Sequence, residues 1–163
     1  MLNATTKWSK KEEINSIEYH INWITNEVLK DRIRDNLIWV ISKAWKYLIC
    51  TNVSKISTIL LNASIPIIMA LARNTSKYNL AVTIISSALL VITSASTTLK
   101  FQELWKQFRI VSENYKSECI KAYMSIDNYN NLSQDEKEKM LCNKLEVYFK
   151  DCLNNWEKIY EKI

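Results

Sequence analysis

Between Tyr78 and Leu99 the sequence carries hydroxyls but no charge. On a helix, Thr83, Ser86, Ser87, Thr93, Ser94, Thr97 and Thr98 fall within an arc of about 140°. Leu90, with Leu80 at the edge, is apolar within that arc, and Ser96 is the one Ser or Thr outside it. In a second uncharged run upstream, Ser57, Thr58, Asn62 and Ser64 share one side, within about 160°. Such faces can do two kinds of chemistry. They can hydrogen-bond, back to i−4 carbonyls or across to a neighbouring helix, or they can line a polar conduit built from several copies. The first run can pair only part of the seven hydroxyls of the second, which favours an oligomer with a wettable interior. Neither run holds an ionisable group, so no proton relay or gating charge is expected and conduction would be weakly selective.

Other chemistries find little to use. His20 is the only histidine, which leaves Cys-His and Ser-His arrangements without a base. Cys50, Cys119, Cys142 and Cys152 form no C-x-x-C pair, so neither a metal site nor a disulfide is expected, and cytoplasmic thiols would stay reduced. Adjacent carboxylates occur as Glu12-Glu13, Asp135-Glu136 and Glu136/Glu138, at expected helix starts, where the helix dipole accounts for them. Glycine is absent from the 163 residues. That excludes Gly-rich phosphate loops and points to an all-α chain with Asn, Asp and Ser at its turns. Lys and Arg number 22 against 17 Asp and Glu, without the dense basic run that nucleic acid would ask for. Neither an enzyme, a cofactor nor a nucleic-acid partner is therefore expected.

The elements that must position the polar faces follow from the two runs. Residues 54–72 and 78–99 are each long enough to cross a hydrocarbon core of ~30 Å as a helix. Only Arg73-Asn74-Thr75-Ser76-Lys77 joins them, so they are expected to form a transmembrane hairpin. The alternative is a buried hairpin inside a soluble bundle. Lys43, Lys46 and Lys55 precede the hairpin and Lys100, Lys106 and Arg109 follow it, against Arg73 and Lys77 between the spans. The positive-inside rule then places both termini in the cytoplasm, with the hairpin in the plasma membrane and facing lipid. The first apolar run starts some 55 residues in and is expected to remain uncleaved. Pro66 removes one backbone donor and is expected to kink the first span near Asn62. Ala81, Ala88 and Ala95 recur every seven residues opposite the hydroxyls.

Two arms flank the hairpin, residues 1–53 and 101–163, within one structural domain. Ser9 and Glu12 predict a capping box for an amphipathic helix over 8–30, with Ile14, Ile17, Ile21, Ile24 and Val28 as its seam. A bend is expected near Asp31, followed by a new series through Ile33, Leu37, Val40, Ala44, Tyr47 and Leu48. The second span is expected to continue unbroken to Ile126, a helix of about 70 Å that would work as a lever. Asp127-Asn128-Tyr129-Asn130-Asn131 predicts a turn, and Ser133 with Glu136 a second capping box opening a last helix over 134–162.

The segment after the second span carries a motif: Phe101, Trp105, Phe108, Arg109, Glu113, Tyr115, Lys116 and Glu118 fit an aromatic followed by W-x-x-[FY]-R-x-x-x-E-x-[LY]-K-x-E. It resembles the signature of the SLATT superfamily, the SMODS and SLOG-associating two-transmembrane effector domains. Ser42–Leu48, the Ser64-Ile65-Pro66 step and the closing Tyr148–Trp156 helix extend the resemblance over about residues 30–160. By their one-turn spacing, Trp105 and Arg109 can form a cation–π contact, and Arg109 can pair with Glu113. The resemblance implies a pore-forming, membrane-disrupting effector of prokaryotic antiviral or abortive-infection systems. Sensing would belong to a partner protein tied to nucleotide second messengers. Two other readings stand beside the homo-oligomeric pore: a non-conducting scaffold that docks a cytoplasmic partner, and a holin-like protein.

Overall fold

The computed structural model describes residues 9–71 and 76–161. The described residues are helical, without a strand: α1 (Lys10–Asn15), α2 (Ile17–Ile21), α3 (Glu27–Leu71), α4 (Ser76–Thr98), α5 (Phe101–Met124), a 3-10 turn at Asp127–Tyr129, and α6 (Gln134–Tyr160). Arg73, Asn74 and Thr75 of the expected joining loop, and the first eight residues, lie outside them.

Both expected capping boxes form. Ser9 accepts from the Glu12 N–H while the Glu12 carboxylate accepts from the Ser9 N–H, and Ser133 and Glu136 repeat the arrangement ahead of α6. The predicted 8–30 helix is divided instead. It breaks at Ser16 and again over 22–26, and no bend occurs at Asp31. The reason lies far away in sequence. Glu138 of α6 accepts from the Thr25 and Asn26 N–H groups at 2.7 and 3.2 Å, and the Asn26 side chain accepts from the Leu29 N–H at 3.1 Å. Those N–H groups gain acceptors in front of Glu27, so α3 starts there and runs through Asp31. Helix dipole alone therefore does not account for Glu138. Val28, assigned to the seam, is exposed, whereas Ile17, Ile21 and Ile24 are buried.

The 45 residues of α3 cross from the arm into the apolar run without interruption. At 1.5 Å per residue this helix is about 68 Å long. The continuous lever is thus α3, and the expected long helix from 78 to 126 is corrected: it breaks at Leu99-Lys100, where Lys100 takes φ 47°. Ser125, Asp127 and Asn131 also have positive φ. A chain without glycine fills such positions with Ser, Asp and Asn, whose short polar side chains tolerate them best; Lys100 has no such excuse. At Ser125 the Ile126 N–H reaches back to the Lys121 carbonyl at 3.0 Å, closing α5 in a Schellman turn.

Below the hairpin, α3, α5 and α6 form a bundle with α1 and α2 laid along it. One cluster packs Ile17, Ile21, Ile33, Leu37, Tyr115, Cys119, Tyr129 and Leu141. Nearer the hairpin, Val40, Ala44, Tyr47, Leu104, Phe108 and Cys152 form another. The periodic apolar residues of the sequence supply both. The hairpin itself is α3 against α4. Both helices are long and apolar enough to cross a membrane, and the rest of the chain buries none of either apolar stretch. A buried hairpin in a soluble bundle would be covered on those faces; this one is not.

Candidate functional site

Two groups of residues stand out, one on the hairpin and one beneath it. In the hairpin the half-buried residues trace one stripe per helix. They are Ser54, Ser57, Thr58, Leu61, Ser64, Ile65 and Ile68 on α3 and Ala81, Val82, Ile85, Leu89, Ile92, Thr93 and Ser96 on α4, the two helices packing against each other. Ser57 and Thr58 thus face or border the neighbouring helix. Of the α4 hydroxyls only Thr93 and Ser96 do. Thr83, Ser86, Ser87, Ser94, Thr97 and Thr98 are exposed, and so is Asn62. Relative to the contact stripes, helical geometry points Asn62 and Ser86 to the same side of the hairpin, each roughly 90–100° from the contact line.

Several of these hydroxyls back-bond within their own helix. Thr83 donates to the Asn79 carbonyl at 2.9 Å, Ser87 to Thr83 at 2.8 Å, Thr93 to Leu89 at 2.9 Å and Thr97 to Thr93 at 2.8 Å. Ser64 does the same to Leu61 at 2.8 Å. Back-bonding spends the donor and lets a hydroxyl sit in an apolar surrounding. Asn62, Ser86 and Ser94 make no side-chain hydrogen bond among the described residues, so their polar atoms remain to be satisfied from outside the hairpin. Pro66 is exposed inside α3, and the helix continues past it to Leu71.

Beneath the hairpin the motif residues of α5 converge on a carboxylate that sequence reasoning assigned to a helix dipole. The Glu13 side chain is 4% exposed. Its Oε1 accepts from Arg109 Nη1 at 2.5 Å and from Lys116 Nζ at 2.8 Å, and its Oε2 accepts from Trp45 Nε1 at 2.9 Å. Burial pushes the Glu13 carboxyl upward; the hydrogen bonds from Lys116 and Trp45, with the charges of Lys116 and Arg109, outweigh it and hold the group below its ordinary value. Glu113 adds the expected pair with Arg109 at 3.0 Å and also meets Lys116 at 3.2 Å. The expected cation–π contact of Arg109 with Trp105 is not made among the described residues, because the guanidinium turns to Glu13 instead. Ammonium–ring contacts occur elsewhere, with Lys43 over Trp39 and Trp156 and Lys144 over Tyr129.

The other motif residues serve the bundle. Phe108 is fully buried, edge-on to Trp39 at 5.6 Å and stacked on Tyr47 at 5.7 Å. Glu118 is buried and accepts from Tyr129 Oη at 3.1 Å, Tyr148 Oη at 3.4 Å and Lys144 Nζ at 3.3 Å. Burial first, then the Glu118 charge, raises the Tyr129 phenol. Arg109, Glu113, Lys116 and Glu118 therefore act as two ion clusters: one ties α5 to α1 and α3, the other ties it to the turn and α6. The capping-box motif hid the first, since Glu12 and Glu13 are adjacent and only one of them caps. Its signal was slight: the Ile17, Ile21 and Ile24 seam puts Glu13 one turn ahead of the core stripe.

Fold and site together define an all-α protein with two helices fit to span a membrane and a helical bundle beneath them. The family model described as "Protein of unknown function (DUF4231)" matches residues 35–137, more than half of the chain, and the chain belongs to that family. The matched region holds the hairpin, Trp45, Arg109, Glu113 and Lys116; Glu13 lies before it. No curated protein and no solved structure matches the chain.

Proposed function

We propose that this chain is a two-pass membrane effector of the SLATT kind, whose copies assemble through the polar side of the hairpin into a pore that dissipates ion gradients. One observation carries the reading: apart from the half-buried Thr93, the hydroxyl arc of α4 is exposed and points away from α3, with Asn62 on the same side. In hydrocarbon, unsatisfied polar groups such as those of Asn62, Ser86 and Ser94 are costly unless another helix or water meets them. Several copies arranged with these faces inward supply both. Conduction through hydroxyls, with no fixed charge in the wall, discriminates little among ions.

On this reading the protein sits in the plasma membrane with both termini in the cytoplasm and acts by conduction rather than by catalysis. Its setting is bacterial antiviral defence by abortive infection, with the signal delivered by a sensor protein that responds to a nucleotide second messenger. Expression in bacteria with a membrane-potential dye tests it. Depolarisation is expected, with the partner supplied where one is required, and Asn62→Leu, Ser87→Leu and Ser94→Leu together are expected to abolish it. An unchanged potential at high expression sinks the pore. The second reading, a non-conducting scaffold, draws on the exposed Tyr19, Tyr123 and Met124 at the far end of the bundle, a surface suited to a protein partner. A scaffold would be indifferent to the three substitutions. A holin-like role fits less well with so large an ordered bundle.

A further inference from the structure

A cleft of about 830 Å³ opens between α1–α2, α3 and α5, with Trp45, Leu48, Trp105, Arg109, His20 and Ile120 among its walls. We propose that it binds the headgroup of an anionic phospholipid. The inference rests on the membrane reading above and adds a ligand to the underside of the hairpin.

Position is the first argument. Leu48 lies six residues before Ser54, and Trp105 six after Leu99. At 1.5 Å per residue both are about 9 Å from the apolar stretches, at the depth of the headgroup layer. Indoles favour that depth, half apolar and half wet.

Continuity is the second. The face of α3 that lines the cleft climbs through Leu48, Asn52, Lys55 and Ile59 at spacings of four, three and four residues. Asn52, Lys55, Ile56 and Ile59 are all exposed. α4 packs on a different stripe, so nothing among the described residues covers this strip. An acyl chain fits along Ile56 and Ile59, with Lys55 at the level of its phosphate and the cleft below for the rest of the headgroup.

Charge is the third. Within the cleft, Lys116 is 12% exposed and committed to Glu13, whereas Arg109 is 41% exposed, with one nitrogen on Glu13 and its outer side shared with Glu113, itself 51% exposed. A surface pair of that kind is weak and exchangeable. Lys55 thus offers a cation at the level of the phosphate and Arg109 another deeper in the cleft, and such basic pockets beside membrane helices select anionic headgroups.

The test uses the full chain, purified in a neutral detergent and stripped of lipid. Thermal unfolding is followed while phosphatidylglycerol, phosphatidylcholine or inorganic phosphate is added, and native mass spectrometry counts retained lipids. Phosphatidylglycerol is expected to raise the midpoint and stay bound, and the other two to do neither. Lys55→Gln is expected to weaken the phosphatidylglycerol effect about fivefold, the worth of one cation near a charged surface. Trp105→Leu weakens it as well, and neither variant moves the lipid-free midpoint by more than a few degrees. Equal effects of phosphatidylcholine, an equal effect of inorganic phosphate, or full retention by Lys55→Gln overturns the proposal. Cell fractionation separates the two failures. A chain that sediments with membranes but ignores phosphatidylglycerol loses the lipid site alone; one that stays in the soluble fraction loses the membrane reading with it.

Discussion

Glu13 decides how the smallest parts of this protein hold together. It sits on a six-residue helix too short to be stable by itself, yet its carboxylate collects Arg109, Lys116 and Trp45 from two other helices. Removing one member of a buried ionic cluster leaves the others desolvated and unpaired. Glu13→Gln should therefore cost about 3 kcal/mol at neutral pH, read by chemical or thermal unfolding in detergent. The pH dependence has a definite sign. The folded-state value lies below the ordinary 4.5, so the stabilisation is complete above that value and is lost as pH falls through the lower folded value. The gap between wild type and Glu13→Gln should close as pH drops below about 4.5 and be constant near neutrality. A gap that does not narrow at all as the pH is lowered would mean that packing, not charge, holds α1. The thiols behave oppositely to reactive cysteines: burial pushes Cys119 up to about 12 and Cys152 up to about 11, so both should resist alkylation until the bundle unfolds.

Among the elements, the two candidate spans leave the hairpin differently. α3 passes into the bundle as one rod, whereas the second span ends at Thr98 and the chain turns at Lys100 before α5 begins. Phe101 stacks on Tyr47 of α3 at 6.4 Å, so the turn is pinned to the rod just after it. A motion of the bundle would therefore reach the hairpin through α3, with α4 following by packing. Lys100 carries the cost of a left-handed backbone that glycine would avoid. Lys100→Gly should stabilise by about 1 kcal/mol, and Lys100→Pro, whose φ is fixed near −65°, should destabilise by more than that. Unfolding midpoints of the two variants check this; equal midpoints would remove the turn from the account. The same elements explain which hydroxyls matter. Back-bonded Thr83, Ser87, Thr93 and Thr97 can tolerate lipid, whereas Ser86 and Ser94 with Asn62 require a partner. Leucine at Ser86 and Asn62 should accordingly weaken self-association, by cross-linking in membranes, more than leucine at Thr83.

For the whole molecule the decisive measurement is topology. A cysteine at Asn74, in a background where Cys50 and Cys142 are replaced by serine, should react with a membrane-impermeant maleimide on intact cells. The native Cys142, half-buried at the surface of α6, should react only after permeabilisation. The reverse pattern would invert the orientation and put the bundle outside. The two apolar runs were legible from the sequence, and the cations flanking them are what make this orientation the expected one, because lipid solvates apolar side chains and penalises charge wherever the chain folds. The caps at Ser9 and Ser133 were equally legible, since both partners of each box lie within one turn.

What the sequence determined by itself is thus what depends on near neighbours. Apolar periodicity, local caps, uncharged runs and the lack of glycine together require an all-α chain with two spans and helical arms. What only the tertiary structure decided depends on residues far apart. Glu138 moved the start of α3, Arg109 turned from Trp105 to Glu13, and α3 rather than α5 became the continuous rod. The polar face gives the plainest case. The helical wheel established that the hydroxyls share a side of α4. That this side turns away from α3 was set by the packing stripe of Val82, Ile85, Leu89 and Ile92, because larger apolar side chains bury more surface between two helices than hydroxyls do.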